Sequence, residues 1–421
     1  MSLRQLLFSS ASIMAGNVLT AGVGFLFWVV AARRFDEASV GFAAAAISAM
    51  SLLGTVGTVG MGTLLIREMP LNPGREHRML SAALVLSGCL GMTLGAGFIL
   101  LAPALSGEFA PLTADPLIWL SVMVGTGLTA ASVNMDQALI GLVRSNLWLL
   151  RNVVAAVGRL ALLVGVVLIG WQAGNSAMLG SWSFALALSL AALALLAMRR
   201  RQLGSAFPPA WEILDVHRRA ALQHHLLNLS IEIPGWVMPL ITLTVLSAAT
   251  NARFYLAWML VGLASFVPNA LCWALYASSS RDISSLARNG RITLGLSLVA
   301  AVLSALVLWL LGPWILAPLG ASYAAAAVGP LPVLAMTLIP VAIKSHYVVI
   351  HRVRGTLNSA SLVIAGASAA ELAAATIGAG SADLIGLSVW LLAAMLLEAA
   401  VMLPMVFRVI VSPHRDREPN P

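Results

Sequence analysis

Six ionisable side chains fall well inside long apolar stretches of this 421-residue sequence, and they are the residues best placed to do chemistry. They are Asp136, Arg159, Glu232, Lys344, Glu371 and Glu398. At the centre of a bilayer each would cost about 2.5–3.5 kcal/mol, so each is expected to face protein or a water-filled cavity. Such groups mark ion pairs, binding sites for charged ligands, or sites that couple transport to an ion.

Arg159 is the sharpest candidate for ligand binding. It lies near the middle of its apolar segment, too deep for the guanidinium to reach the surface easily, and that segment contains no acid. Asn152 precedes it by seven residues, so both side chains share nearly the same helix face. We expect Arg159 and Asn152 to line a central cavity and bind substrate. Lys344 and Asn17, a polar residue of the first apolar segment, are the other substrate-binding candidates.

Some of these charges have an alternative role as structural ion pairs. Asp136 can pair with Arg144 or Arg151, because all three lie near one turn between neighbouring apolar segments. Lys344 can pair with Glu398 at a similar depth, or extend toward the headgroups.

Glu232 and Glu371 complete the set of acids that are candidates for ion coupling or ion pairing. Glu232 precedes Pro234, and Pro239 follows, so this helix is expected to be broken or kinked. A bent helix beside an acid fits a gate or a proton site, and it also fits a purely structural bend.

No catalytic constellation accompanies these charges. Cys89 and Cys272 lie in separate apolar segments and give neither a disulfide framework nor a metal-site spacing. His224 and His225 stand beside arginines at a segment border, where a solvated pair is more common than a metal site. The sequence contains no Walker A motif for nucleotide phosphates. We therefore expect no enzyme activity, no metal and no cofactor, and no direct use of ATP.

The charged residues are carried by twelve apolar segments, each long enough for the about 20 residues that cross a bilayer as a helix. The segments run approximately over 10–32, 40–66, 80–103, 117–141, 149–170, 176–198, 224–248, 254–277, 292–312, 329–350, 357–378 and 383–407. Hydrophobic residues make up 60% of the chain and charged residues 10%, which excludes an ordinary soluble domain. The sequence predicts an all-α membrane protein with twelve transmembrane helices.

Arginine alternates between the two sides of these segments. Nineteen arginines lie in or beside the N-terminus and every second loop, whereas the other loops hold only Arg33, Arg34 and Arg253. This positive-inside bias predicts that both termini are cytoplasmic. Topology and anionic headgroups account for the net charge of +8, so the charge does not indicate nucleic acid.

The longest basic loop divides the helices six and six. The turns at 36–42 and 248–254 each lead into an Ala-rich helix, about 212 residues apart. Even numbers of helices predict two six-helix bundles in the same orientation, related by a pseudo-twofold axis, with a cavity between them and alternating access. The predicted domains are an N-terminal bundle (1–198), a basic linker (199–223), a C-terminal bundle (224–407) and a tail (408–421).

The order of several short motifs resembles one family of transporters. The motifs are AGNVLTAGVGF at 15–25, AARRF at 31–35, LLIRE at 64–68, DQALIGL at 136–142 and GASYAAAA at 320–327. Together they resemble the oligosaccharide flippases of the multidrug/oligosaccharidyl-lipid/polysaccharide (MOP) exporter superfamily. Lipid II flippases of this superfamily usually have fourteen helices and arginines in helix 1, and drug antiporters often have an acid in helix 1. Residues 10–32 lack such an acid.

The resemblance implies a flippase for a polyprenyl-pyrophosphate-linked oligosaccharide in the bacterial inner membrane. It also implies membrane lipids and polysaccharide-assembly proteins as partners. A cation-coupled multidrug antiporter of the same superfamily is the first alternative, since Asp136, Glu232 and Glu371 could form an acidic cavity. A membrane-embedded polysaccharide ligase or polymerase is the second, although such enzymes typically have a large external loop.

Overall fold

The computed structural model describes residues 3–199, 209–280, 282–381 and 383–411, and helices carry nearly all of them. Within these ranges, twelve spans are long and apolar enough to cross a membrane. The first six are α1 (Leu3–Arg34), α2 (Glu37–Gly57), α3 (Glu76–Leu105), α4 (Pro116–Gly141), α5 (Ser145–Leu168) and α6 (Gly174–Arg199). The others are α7 (Trp211–Ile241), α8 (Ala248–Ser279), α9 (Leu286–Leu316), α10 (Pro330–Arg354), α11 (Leu357–Ala379) and α12 (Leu384–Val411). The predicted all-α membrane protein with twelve spans is confirmed.

Turn residues end or divide three of these spans, α2, α8 and α10. A turn ends α2, in which Val59 and Gly60 have φ values of 47° and 78°. The short helix Met61–Glu68 follows this turn. Single non-helical residues, Ser265 and Thr337, divide α8 and α10. In contrast, α7 runs unbroken through both of its prolines and ends in the π-helical turn Thr242–Leu246. Of the two expected outcomes, a break beside the prolines is therefore wrong, and a kink remains a prediction.

Polar caps start the helices at one end of the bundle. Asp36 caps α2 by accepting hydrogen bonds from the Ser39 amide at 2.9 Å and the Ser39 hydroxyl at 2.7 Å. Partial burial raises the pKa of Asp36, but these hydrogen bonds lower it more, so its pKa lies below the usual value. Asp115 caps α4 in the same way, with Pro116 at the first helical position.

The chain forms two compact units, Met1–Ala252 and Arg253–Pro421. In the first unit, α4 packs against α2, α3 and α6, while α5 packs against α1 and α6, and α7 packs against α2. In the second, α11 packs against α12, and α10 packs against both α9 and α12. Residues 200–208 of the predicted linker and 412–421 of the predicted tail lie outside the described residues. The domain boundaries drawn from the sequence remain a prediction.

The two turns that match in sequence meet within the first unit. A Cβ atom on Gly41 of α2 would lie 1.7 Å from the Ala248 carbonyl oxygen, so only glycine allows this approach. The Asn251 amide donates a hydrogen bond to the Gly41 carbonyl oxygen at 2.7 Å. The Glu108 carboxylate accepts a hydrogen bond from the Ala248 amide at 3.2 Å. These contacts fix the start of α8 against α2.

Candidate functional site

A polar cavity of about 450 Å³ lies inside the first unit. Its walls come from α2, the short helix after it, and α4 to α7. They combine hydroxyl and amide side chains, one ion pair, one further acid and three indole rings. The lining residues are Ser51, Thr55, Thr58, Gly60, Gly62, Thr63, Thr129, Ser132, Val133, Asp136, Gln137, Ile140, Trp148, Arg151, Trp182, Leu186, His225, Asn228, Glu232 and Trp236.

The ion pair joins Asp136 of α4 to Arg151 of α5. The Arg151 Nε and Nη2 atoms donate to the two Asp136 oxygens at 2.6 and 2.5 Å, which is the bidentate fork that guanidinium groups form with carboxylates. The Arg151 side chain is 5% exposed and the Asp136 side chain is 20% exposed. Asn152 accepts a hydrogen bond from Arg151 Nη2 at 2.9 Å and donates to the Trp148 carbonyl oxygen at 2.9 Å. Asn152 is thus a third side chain that holds the Arg151 guanidinium in this ion pair.

The turn between α4 and α5 brings these residues to the same depth. Val143 adopts a left-handed conformation with φ 55°, and the Arg144 amide donates to the Leu139 carbonyl oxygen at 2.8 Å. This is the pattern of a Schellman motif, which ends one helix and reverses the chain. Asp136 lies about one and a half turns before the end of α4, and Arg151 lies the same distance into α5.

The wall from α7 presents a single helical stripe. His225, Asn228, Glu232 and Trp236 follow at intervals of three, four and four residues, so they share one face. The Glu232 side chain is exposed to the cavity. Among the described lining residues, Asp136 and Arg151 balance each other, so the wall has one excess negative charge when Glu232 is ionised and His225 is neutral.

Three indole rings, from Trp148, Trp182 and Trp236, give the cavity flat apolar surfaces. Arg159 is not among the lining residues of the cavity. Its guanidinium carbon is 4.1 Å from the centre of the Trp182 ring, within the range of a cation–π contact. Its Nε atom donates to the Ala155 carbonyl oxygen at 3.3 Å. Arg159, which was predicted to bind substrate, thus contacts one of the side chains that line the cavity.

The remaining deep charges lie together in the second unit. Lys344 of α10 donates to Glu371 of α11 at 2.6 Å and to Glu398 of α12 at 3.3 Å. The two glutamates are 3% and 8% exposed. The Glu398 Oε1 atom is buried and has no hydrogen-bond partner among the described residues. One ammonium group is thus shared by two carboxylates, whereas the sequence suggested either a pair with Glu398 or extension of Lys344 toward the headgroups.

The last candidate, Asn17, is exposed on α1 and is not a lining residue of the cavity. Sequence reasoning missed the tryptophans and the hydroxyl-bearing residues of the wall. A signal for them exists in the spacing of Ser51, Thr55 and Thr58, which share one face of α2 and the turn that follows it.

Two further observations bear on chemistry. Within the described ranges, no group of three or more His, Cys, Asp or Glu side chains could hold a metal ion. The Cys272 sulfur lies 3.3 Å from His346 Nδ1, and His346 Nε2 lies 3.1 Å from the Thr293 hydroxyl, which forms a small buried polar cluster in the second unit.

Comparisons with known proteins place this site in a family context. Residues 6–213 match the family described as "Polysaccharide biosynthesis protein". No curated protein sequence matches the chain. A solved inward-facing structure of a multidrug resistance MATE family transporter of the MOP superfamily is 15% identical, with 95% of this chain and 96% of that chain covered and a TM-score of 0.72. An outward-facing structure of a multidrug resistance MATE family transporter of the MOP superfamily is also 15% identical, with 96% of this chain and 95% of that chain covered and a TM-score of 0.68.

These matches confirm two predictions from the sequence. The family match over residues 6–213 supports the resemblance to the polysaccharide flippases of the MOP superfamily. The structural matches span nearly the whole chain and show the MATE-type fold of two six-helix bundles. At 15% identity they establish the fold, and they do not identify a substrate.

Proposed function

We propose that this membrane protein is a flippase. Residues 6–213 have the sequence pattern of the polysaccharide biosynthesis family, and the chain has the fold of MOP-superfamily transporters. Its proposed substrate is a polyprenyl-pyrophosphate-linked oligosaccharide, which it moves across the bacterial inner membrane by alternating access. The proposed orientation has both termini in the cytoplasm. Proteins of polysaccharide assembly are its proposed partners.

The polar and aromatic cavity inside a membrane-embedded unit is the observation that carries this proposal. Each polar group of a sugar that is stripped of water costs several kcal/mol in hydrocarbon. The hydroxyl and amide groups of α2, α4 and α7 can replace those lost hydrogen bonds. The indole faces suit the apolar faces of sugar rings. A volume of about 450 Å³ lies in the range of small-ligand pockets, so the cavity can hold part of the headgroup at one time.

The cations have different proposed roles in this scheme. Arg159 positions the Trp182 ring, because its guanidinium packs against that ring. Asn152 supports the ion pair between Asp136 and Arg151. The role of Lys344 and Asn17 in binding substrate gains no support from the cavity, because neither of them lines it.

The test measures lipid-linked oligosaccharide in the inner leaflet, together with the abundance of the protein. We expect Arg159→Ala and Trp182→Ala to cause the lipid to accumulate at normal protein level, and Arg159→Lys to retain part of the activity, because a lysine can still contact the ring. Trp309→Ala is the matched control, since this tryptophan is 60% exposed on α9. Normal flipping in Trp182→Ala would contradict the proposal, and loss of the Arg159→Ala protein would instead assign Arg159 a structural role.

Coupling to an ion is a separate part of the proposal. Lys344 balances only one of the two buried carboxylates, Glu371 and Glu398, so a proton or sodium ion is needed to neutralise the other. Glu398→Gln is expected to remove the dependence of transport on the ion gradient. A variant that still responds to the gradient would contradict this assignment.

The cation-coupled multidrug antiporter remains a second candidate function, and one observation favours it. Glu232 adds an excess negative charge beside three indole rings, a combination that also suits organic cations. Resistance to a lipophilic cation in cells that produce the protein, lost in Glu232→Gln and without any change in lipid-linked oligosaccharide, would favour the antiporter. No observation favours the ligase or polymerase.

A further inference from the structure

A second cavity of the first unit lies on the other side of α4. It is a groove of about 570 Å³ between α3, α4 and α6. The helical repeat separates the two faces of α4: Asp136 and Gln137 line the polar cavity, whereas Ala138, Leu139 and Leu142 line the groove. The groove therefore belongs to a different surface from the proposed substrate site.

The interior of the groove is built for a hydrocarbon chain. Leucine, methionine and alanine supply most of its lining. Ala191, Ala194 and Ala197 follow at intervals of three along α6, and their small side chains leave the space that a larger residue would fill. The groove follows α3 from Glu76 to Leu84, which corresponds to about 12 Å along the helix axis.

Charged residues of the groove are confined to one end. Glu76, His77 and Arg144 line this mouth, and Arg144 is exposed. The Glu76 carboxylate accepts the Gly74 amide at 2.7 Å, which directs it to its own turn. Arg75 and Arg78 flank Glu76 and His77 in sequence, and Arg199 follows the lining residue Ala197 on α6. Because the Glu76 carboxylate is bonded to its own turn, Arg144 is the exposed charged side chain of the described lining that can meet an anionic group.

This distribution matches the polarity of a phospholipid in a bilayer. The groove runs along membrane-spanning helices, so its apolar part lies at the depth of acyl chains and its charged mouth lies near the headgroups. A basic residue near an anionic membrane surface contributes about 1 kcal/mol of attraction, or about fivefold in affinity.

We propose that the groove binds one anionic phospholipid, with an acyl chain against α4 and α6 and the phosphate paired with Arg144. The turn that ends α4 fixes the position of this arginine, because the Arg144 amide is bonded to Leu139. The proposal is independent of the transported substrate, since it concerns the opposite face of α4.

Native mass spectrometry of the full-length protein in detergent tests this assignment, with phosphatidylglycerol or phosphatidylcholine added at equal concentrations. We expect at least one phosphatidylglycerol to be retained in preference to phosphatidylcholine. Arg144→Ala should reduce that preference about fivefold. Ala194→Trp should reduce the binding of both lipids, because the indole fills the groove. Arg291→Ala, which removes an exposed arginine of α9, is the matched control and should leave binding unchanged.

Several results would overturn the proposal. Equal retention of the two lipids would remove the role of charge, and unchanged retention in both Arg144→Ala and Ala194→Trp would place the lipid elsewhere. An equal loss in Arg291→Ala would indicate a general effect of net charge. Displacement of phosphatidylglycerol by a tenfold lower concentration of undecaprenyl phosphate would assign the groove to a polyprenyl chain. Monodisperse elution and unchanged helix content of each variant establish that it is folded.

Discussion

Gly41→Ala is predicted to break the contact between α2 and the start of α8. The added Cβ atom would lie 1.7 Å from the Ala248 oxygen, 2.7 Å from the Ala248 carbonyl carbon and 2.8 Å from the Ala252 nitrogen. All three are backbone atoms, so no side-chain rotation relieves the overlap. The helices must separate, and the hydrogen bond from Asn251 to the Gly41 oxygen is lost with them.

The magnitude follows from three opposing terms. Overpacking of a closely packed site costs about 1–3 kcal/mol. A buried amide of Asn251 that loses its acceptor costs about 1–3 kcal/mol more. Replacing glycine by alanine within a helix returns about 0.5–1 kcal/mol. The net destabilisation of this contact is therefore about 1–5 kcal/mol, and a value of about 3 kcal/mol corresponds to more than a hundredfold shift in the equilibrium between closed and separated helices.

Two measurements on the full-length protein test this prediction. The midpoint of thermal unfolding should fall in Gly41→Ala. The second measurement uses a protein in which Cys89 and Cys272 are replaced by serine and a single cysteine is introduced at Ala45, which is buried one turn further along α2. This cysteine should react faster with a maleimide when Gly41→Ala is also present. Gly22→Ala is the matched control, because a Cβ atom added at Gly22 would have no neighbouring atom within 4 Å, and this variant should be neutral or stabilising. Equal unfolding midpoints and equal labelling rates in the two alanine variants would refute the close approach.

Three further substitutions test the buried charges and the turn after α4 by thermal unfolding in detergent. Arg151→Ala should destabilise the protein by about 3–5 kcal/mol, because Asp136 keeps a buried charge without a partner, and adding Asp136→Asn should recover most of the loss; a double variant no better than the single one would contradict this. Lys344→Met should be more harmful than Glu398→Gln, because the first leaves two buried carboxylates and the second still leaves the lysine an acid; the reverse order would be inconsistent with a shared ammonium group. Val143→Gly should stabilise by up to about 1 kcal/mol, because it relieves the positive φ; a lower unfolding midpoint would exclude a left-handed conformation there.

The spans and the general location of the ion pairs could be predicted from the sequence, because both depend on properties that add up along the chain. Hydropathy and length identify the twelve helices, and counting residues from one turn places Asp136 and Arg151 at the same depth. The choice of Arg151 over Arg144 could not be predicted, since it depends on the rotation of α5 about its axis. Packing against neighbouring helices sets that rotation.

The position of Arg159 shows the same limit more sharply. Its depth correctly indicates that the guanidinium needs a partner, but depth does not identify one on another helix. One partner on another helix is the face of Trp182 on α6, an apolar residue by composition. A search of the sequence for acids does not find this aromatic contact. The wall of tryptophans was missed for the same reason, because residues far apart in sequence form it.

The two buried charge clusters differ in a way that separates their roles. In the first unit, one guanidinium meets one carboxylate through two parallel hydrogen bonds, so Asp136 and Arg151 leave no charge to be neutralised. In the second unit, the compact ammonium group of Lys344 contacts two carboxylates, and one oxygen of Glu398 remains without a partner among the described residues. A cluster with excess negative charge can change its content of protons or cations, whereas a balanced pair resists such a change. We therefore expect ion coupling to depend on the cluster around Lys344, and we expect the Asp136–Arg151 pair to hold α4 against α5 in every state of the transport cycle.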